Sequence, residues 1–342
     1  MEQYIGLDVS VKRTEICVMD ATGSVLARGR EVTQPALLAK AMRDLAPSLR
    51  LAVLETGGQS SWLCQELEAL GLPVVIVDAR RAKKALSCWT NKTDANDAEG
   101  LAQLARTGWY RQVAAKRPET RAARALLLAR QQLVKQRRDL ENQVRGLLRG
   151  FGLVVGSVAR SGFEARASEL AAQEPLLADA LEPLLLARRA LEPQIKTLER
   201  RIASAAQGSA VCTRLMTVPG VGPMTALAFV TAIDDPARFE KSVSLGPYLG
   251  LTPRRFQSGD TDWSGRISKR GDGLARHMLY EAANSLLCRV RRWSAPKAWA
   301  ARLVKKLGAK KARVALARKL AVILHRIWVD GSTFRWSKEA AA

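Results

Sequence analysis

The chain lacks any run of about 18 consecutive apolar residues, the length a membrane-spanning helix needs. Its opening, MEQYIGLDVS, lacks the basic-then-apolar order of a secretory leader. Cysteine is scarce: Cys17, Cys64, Cys88, Cys212 and Cys288 are scattered, with no CxxC pair. That spacing excludes a zinc ribbon and a disulfide framework, and it fits a reducing cytoplasm. Histidine is scarcer still, with only His277 and His325, so any metal chemistry falls to carboxylates. Acidic residues are also in deficit, 32 against 55 Lys and Arg, a net charge of +23 over 342 residues.

The excess charge is uneven. Residues 1–110 balance 13 basic against 13 acidic side chains, whereas residues 251–342 carry 21 basic against 6 acidic. A polyanion is the partner such an asymmetry implies, because each phosphate neutralised by a cation releases condensed counterions. Nucleic acid is therefore expected, and no membrane.

The first 112 residues read as α/β. IGLDVS, TEICVMD and VLARGREV are short β-rich runs divided by turn signals, a three-strand meander. PALLAKAMRDLA is helical, LRLAVLE a strand, SSWLCQELEALG a helix, PVVIVDA a buried strand and DANDAEGLAQLAR a helix. This order is that of an RNase H-like fold. Residues 113–205 form a second region, in which residues 118–149 repeat apolar residues at helical spacing. Residues 181–205 do the same through Leu186, Leu191, Ile195, Leu198 and Ile202, so an antiparallel helical hairpin within the chain is expected, with an oligomerising coiled coil the equal alternative. Pro183 and Pro193 argue against one unbroken second helix. Residues 206–342 form a third, mostly helical region. In it MTVPGVGPMTALAFVTAI joins two apolar stretches in the manner of a helix-hairpin-helix, Gly220 and Gly222 letting backbone amides approach a phosphate. An ordinary helix–turn–helix connection would read the same way. The tryptophans of the C-terminal stretch, Trp293, Trp299 and Trp328, suit the core better than base stacking at their helical spacing.

Four carboxylates stand out by position. Asp8 lies within the first strand, flanked by apolar residues, where burial without a partner is costly. Glu55 ends the strand LAVLE just before Gly57 and Gly58. Asp94 and Asp97 are three residues apart at a helix start, hence on one face, although N-capping alone could account for Asp94. Together they suit a hard cation such as Mg2+, which takes oxygen ligands and bridges to phosphates.

These stretches resemble a known family. GLDVSVKRTEICV, LETGG and NKTDANDAEGLAQLA resemble the DEDD-type, RuvC-like domain of bacterial insertion-sequence transposases of the IS one-ten family, relatives of the Piv-type invertases. TVPGVGPMTALAFVTAI and LGPYLGLTPRRFQSGDTDWSGRISKRGDGLARHML resemble its C-terminal transposase domain. The resemblance implies a DNA recombinase acting on donor and target DNA, in the cytoplasm at the bacterial nucleoid. It implies a magnesium-binding tetrad of Asp8, Glu55, Asp94 and Asp97 and a serine that attacks DNA. It further implies guidance by a structured noncoding bridge RNA, and homodimers that assemble into tetramers, the RuvC-like domain of one subunit meeting the serine domain of another.

The family loop reads Ser-Ser-Gly and then Gly-Ile-Ser-Lys-Arg-Gly. Here Gln257 replaces the first serine and Ser258 matches the second. Ser264 matches no family serine, and Ser268 belongs to the ISKRG element. With no histidine in this stretch, a Ser-His-Asp triad is not expected, and a serine needs a base, a metal or both. Arg254, Arg255, Arg266, Lys269 and Arg270 are suited to holding the scissile phosphate. A metal-dependent nuclease of the Holliday-junction resolvase kind, using the tetrad without Ser258, is the alternative.

Overall fold

A computed structural model describes residues 1–85, 93–259 and 261–336; Cys88 lies outside them. The chain divides into two compact units, Met1–Pro118 and Glu119–Ala342.

The first unit is a mixed sheet with helices on both faces. Strands β1 (Gln3–Val9), β2 (Arg13–Asp20) and β3 (Val25–Val32) form an antiparallel meander. Helix α1 (Pro35–Leu45) leads to β4 (Leu49–Glu55), parallel to β1. Helix α2 (Ser60–Ala69) leads to β5 (Val74–Val77), parallel to β4. Helices α3 (Ala79–Ala85) and α4 (Asp94–Thr107) follow, then β6 (Gln112–Val113), antiparallel to β5. The strand order is β3-β2-β1-β4-β5-β6.

Period-two alternation sorts the side chains by face. Ile5, Leu7, Ile16, Val18, Ala52, Leu54 and Ile76 join Leu38, Met42, Leu63 and Leu67 from α1 and α2. On the other face Val53 and Val77 meet Leu101 and Leu104 of α4, and Cys17 and Met19 meet Ala98 and Ala102. Burial pushes the Cys17 thiol up to about 11 and Cys64 to about 12, so both are protonated packing residues rather than nucleophiles.

In the second unit α5 (Pro118–Gly150), α6 (Phe163–Ala171) and α7 (Pro175–Gln207) build the helical hairpin. Its antiparallel register is read from its ion pairs: Arg130 with Glu199 at 2.6 Å, Arg137 with Glu192 at 3.3 Å, Arg188 with Glu141 at 2.9 Å. As one partner's number rises the other's falls. Beyond these pairs Val144, Leu148, Phe163, Ala167, Leu177, Leu181 and Leu185 close a small core of their own.

Two expectations for α7 need correcting. The helix runs unbroken through Pro183 and Pro193. Both prolines are exposed, so the carbonyls of Asp179 and Arg189, each deprived of an N–H partner, lie on the side where water can replace it. The buried stripe keeps the expected Ile195 and Ile202, with Leu191 and Leu198 half-buried, but Leu186 is exposed and the inward positions around it are Leu181, Leu185 and Arg188. An arginine, Arg188, occupies one of the inward positions.

Arg188 is 5% exposed, donates to Glu141 and to the Arg160 carbonyl, and lies over the Phe163 ring. Arg137, 7% exposed, reaches the same two glutamates, Glu141 and Glu192. Truncating Arg188 to alanine leaves carboxylates under-compensated in a low-dielectric seam. The expected cost is about 3 kcal/mol, read as loss of amide protection confined to α5–α7.

The remaining helices form one core. They are α8 (Ala210–Leu215), α9 (Pro223–Ile233), α10 (Leu245–Tyr248), α11 (Gly273–Cys288), α12 (Ala295–Leu307) and α13 (Ala309–Asp330). Strands β7 (Pro253–Ser258) and β8 (Thr261–Ile267) form an antiparallel hairpin between α10 and α11. Helix α9, apolar nearly all round, is central. Trp299 and Trp328 pack on this core, whereas Trp293 is exposed with Lys297 over its ring. His325 is buried; its Nε2 donates to the Pro236 carbonyl at 3.0 Å, so Nδ1 accepts from the Ser242 hydroxyl at 2.9 Å. Among the described residues no helix is long and apolar enough to cross a membrane.

Candidate active site

Asp8 and Glu55 come to adjacent strand ends on one face. In the parallel pairing of β1 with β4, Leu7 stands beside Leu54, so the next residues on each strand are Asp8 and Glu55. Alternation puts Asp8 on the face of Gly6, and Glu55 on the face of Val53. That is the face covered by α4. Gly6 explains the close approach: a Cβ there would lie 1.9 Å from the Ala98 carbonyl oxygen and 2.3 Å from the Ala102 nitrogen. Helix backbone thus packs directly on strand backbone. Arg28 secures the same helix from β3, through Glu99 and the Ala95 carbonyl.

The first turn of α4 carries Asp94 and Asp97. The helix is capped by Thr93, whose Oγ1 accepts from the Asn96 amide at 3.2 Å. Capping therefore does not account for Asp94, an alternative the sequence left open. Beyond Glu55, Gly57 and Gly58 are open: an added Cβ would meet nothing within 4 Å. Sequence reasoning missed Glu15, which stands across from Asp8 in the β1–β2 ladder and is paired with Arg30 at 2.7 Å. Only strand register reveals it. Among the described residues, no three His, Cys, Asp or Glu side chains stand arranged to hold a metal ion.

Ser258 belongs to the second unit. The sequence presented its surroundings as a loop, but Ser258 is the last residue of β7, paired with Thr261 at the hairpin tip. Gly259 follows with φ 53°, the left-handed backbone such a tip requires. Every residue of β7 is exposed. Phe256 and Ser258 share one face by alternation. On the opposite face Arg255 grips Asp262 with two bonds of 2.9 and 2.6 Å. This pair holds the Asp262 carboxyl below its ordinary range and raises the Arg255 guanidinium. Arg255 is thus engaged within the hairpin. Arg254 reaches the Ser268 carbonyl at 3.4 Å. Arg266, Lys269 and Arg270 are exposed and make no ion pair among the described residues.

The hairpin base is held by close backbone packing. A Cβ on Gly250 would lie 2.1 Å from the Arg270 carbonyl oxygen, and one on Gly271 would lie 2.0 Å from the Tyr248 oxygen. Lys269 adopts φ 54°, unusual for a side chain of its length, with its amide donating to Gly250 at 3.2 Å. Arg276 bonds the Leu249 and Arg270 carbonyls at 2.9 and 3.2 Å. Asp272 caps α11 and pairs with Arg124 at 2.6 Å. The backbone of Lys269–Arg270 is therefore fixed while both side chains project outward.

Gly220 has a packing role. Val221 donates to the Val218 carbonyl across Pro219–Gly220, with Gly220 at φ 88°, the mark of a type II turn. A Cβ there would lie 2.6 Å from the Ala282 carbonyl oxygen of α11. Gly222, the residue before α9, has nothing within 4 Å of an added Cβ.

Both halves match family models. Residues 5–152 match a DEDD-type transposase model of IS110 elements, and residues 212–318 match the transposase IS116/IS110/IS902 family. The chain is 30% identical over 341 residues to the transposase for insertion sequence element IS1111A of Coxiella burnetii, spanning 97% of this chain and 91% of that protein. The chain belongs to the IS110/IS116 family of insertion-sequence transposases.

Other family relatives align over similar lengths. A probable family 20 transposase of Pseudomonas aeruginosa is 31% identical across 94% of this chain and 95% of its own. The transposase for insertion sequence element IS1328 of Yersinia enterocolitica is 25% identical across 96% and 98%. The two family matches leave residues 153–211, which include α6 and α7, uncovered.

Proposed function

We propose that this insertion-sequence transposase is an RNA-guided DNA recombinase that cuts and rejoins strands through a phosphoserine intermediate. What supports it most is that the chain carries both an acidic face, at the ends of β1 and β4 and the start of α4, and an exposed serine on a cationic hairpin. The Ser258 hydroxyl attacks a DNA phosphorus; a Ser–O–P bond forms, a deoxyribose P–O bond breaks, and the leaving sugar oxygen takes a proton. A hydroxyl from another strand then attacks the same phosphorus and releases the serine. Each step replaces one phosphodiester with another, so no ATP is required.

The first unit reads as RuvC-like, supported by its strand order and by the placing of Asp8, Glu55, Asp94 and Asp97. Asp8 and Glu55 at adjacent strand ends, with Asp94 and Asp97 in the first turn of the helix that covers that face, supply oxygen donors of the kind Mg2+ takes, and on this reading they would hold it once drawn together. When bound, such an ion supplies charge stabilisation at a phosphate. Arg254, Arg266, Lys269 and Arg270 position the phosphate next to Ser258; Arg255 supports them by fixing the hairpin. The α8–α9 connection acts as a helix-hairpin-helix, with backbone amides near Gly222 facing the phosphate and Gly220 setting the turn. The three-region organisation makes residues 113–205 an arm between the two chemical halves. The carboxylates of one subunit then act with Ser258 of another in a dimer or tetramer. The cationic C-terminal region also holds the backbone of a structured guide RNA and keeps the protein at the nucleoid.

The test is labelled DNA incubated with protein and Mg2+, followed by a search for a protein–DNA adduct. An adduct lost in Asp8→Asn, with DNA affinity unchanged within about twofold, is the expected result, because Asp8 serves the chemistry and the C-terminal cations serve binding. Magnesium-dependent cleavage to free 5′-phosphate and 3′-hydroxyl ends, with no adduct, would support the resolvase reading, which the acidic face alone favours.

A further inference from the structure

The hairpin carries an aromatic pair that neither the acidic face nor the serine explains. Phe256 and Trp263 stand opposite each other in the β7–β8 ladder, ring centroids 6.2 Å apart and 25° from parallel. They remain 51% and 52% exposed. Gly265 contributes: a Cβ there would lie 2.6 Å from Trp263 Cζ3, so its absence lets the indole lie along the strand. The pair shares the Ser258 face by alternation. The opposite face holds Arg255 and Asp262.

Cross-strand stacking helps an isolated two-stranded hairpin to hold together. That role uses one side of each ring and leaves the other side an open flat π-surface. Two broad rings left open on a hairpin that also carries exposed Arg266, with exposed Lys269 and Arg270 just after it in the chain and 21 basic against 6 acidic residues over 251–342, match a ligand that is both flat and anionic. We propose that Phe256 and Trp263 form a stacking platform for an unpaired nucleobase of the DNA strand being cut, adjoining the phosphate that Ser258 attacks. The proposal rests on the reading of Ser258 given above. A base turned out of its duplex and stacked on the platform fixes the sugar–phosphate link next to it relative to the hairpin tip. The platform thus makes Trp263 and Phe256 positioning residues rather than catalytic ones.

The experiment crosses protein variants with DNA that carries one abasic nucleotide, placed in turn at each position around the cut. With intact DNA, Trp263→Leu is expected to slow adduct formation roughly 10-fold, within the range base–aromatic stacking spans. At one abasic position the same substitution should cost less than about twofold, because the stacking partner is already missing. Trp263→Phe retains a ring and should recover most of the rate, which separates stacking from hairpin collapse. A Trp263→Leu loss of equal size at every abasic position overturns the proposal. A second arm uses full-length Ser258→Ala protein and measures anisotropy of a labelled single-stranded DNA against its abasic counterpart. It reads stacking even where no adduct forms, so failure of the serine reading and failure of the platform are told apart. Dependence on Trp263 for single-stranded RNA but not for DNA would assign the platform to the guide and overturn the proposal for the cut strand.

Discussion

Replacing Ser258 by alanine is expected to abolish covalent attachment of DNA and strand exchange, lowering both by about a thousandfold or more. The fold should be untouched. The side chain is exposed at the tip of a hairpin, so its loss removes no buried contact and leaves no unpaired polar group. DNA binding should persist, because Arg254, Arg266, Lys269 and Arg270 remain in place and phosphate neutralisation sets affinity. The neighbouring serines supply the contrast. Ser264 is opposite Arg255 on the other face, so Ser264→Ala should change the adduct rate by less than about twofold. On the proposed mechanism Ser268→Ala is expected to have an intermediate effect, since the Ser268 Oγ accepts from the Arg270 amide at 3.4 Å and its carbonyl from Arg254. Its loss should loosen the phosphate-holding segment without removing the nucleophile. Adducts trapped on denaturing gels rank the three. A Ser258→Ala protein that still attaches to DNA would move the nucleophile elsewhere.

Much of the first unit was legible because its strands are buried on one or both faces and its helices follow a 3.6-residue period. IGLDVS, TEICVMD and LAVLE emerge as β1, β2 and β4 for that reason. Helix α3, seven residues of mostly Ala, Arg and Lys, carries no apolar period, and β6 is two residues long. Neither leaves a pattern to read. The β7–β8 hairpin was hidden for a different reason. With β7 exposed throughout, polar residues fill both faces, and the alternation that marks a half-buried strand is missing. Ser258 could be named by resemblance, but its position at a tip, sharing a face with Phe256, needs the pairing register. In α7 an apolar-only reading found the buried Ile195 and Ile202 but also chose the exposed Leu186, because it gives no weight to an arginine such as Arg188, buried through carboxylate partners and an aromatic ring.

The carboxylates show the same division. Asp8, Glu55, Asp94 and Asp97 were conspicuous in the sequence, but what lets α4, with Asp94 and Asp97 in its first turn, pack closely on the strand face of Asp8 is Gly6, which carries no chemistry. Gly6→Ala is expected to be among the most disruptive single substitutions in the first unit. The added methyl would meet the Ala98 carbonyl oxygen and the Ala102 nitrogen, and backbone on both sides cannot rotate away. Either α4 lifts from the sheet or β1 bends, at a cost of about 3 kcal/mol. Lifting α4 also separates Asp94 and Asp97 from Asp8, so metal-dependent cleavage should fall even where the protein remains folded. Gly57→Ala is the matched control, with open space around its Cβ next to the same site and an expected change within about 0.5 kcal/mol. Amide hydrogen exchange resolves the two outcomes by location. Faster exchange in α4 and β1 for Gly6→Ala, with α5–α13 unaffected, places the damage at the helix–strand contact. Uniform protection in both variants would mean that the packing of α4 on β1 does not depend on this approach.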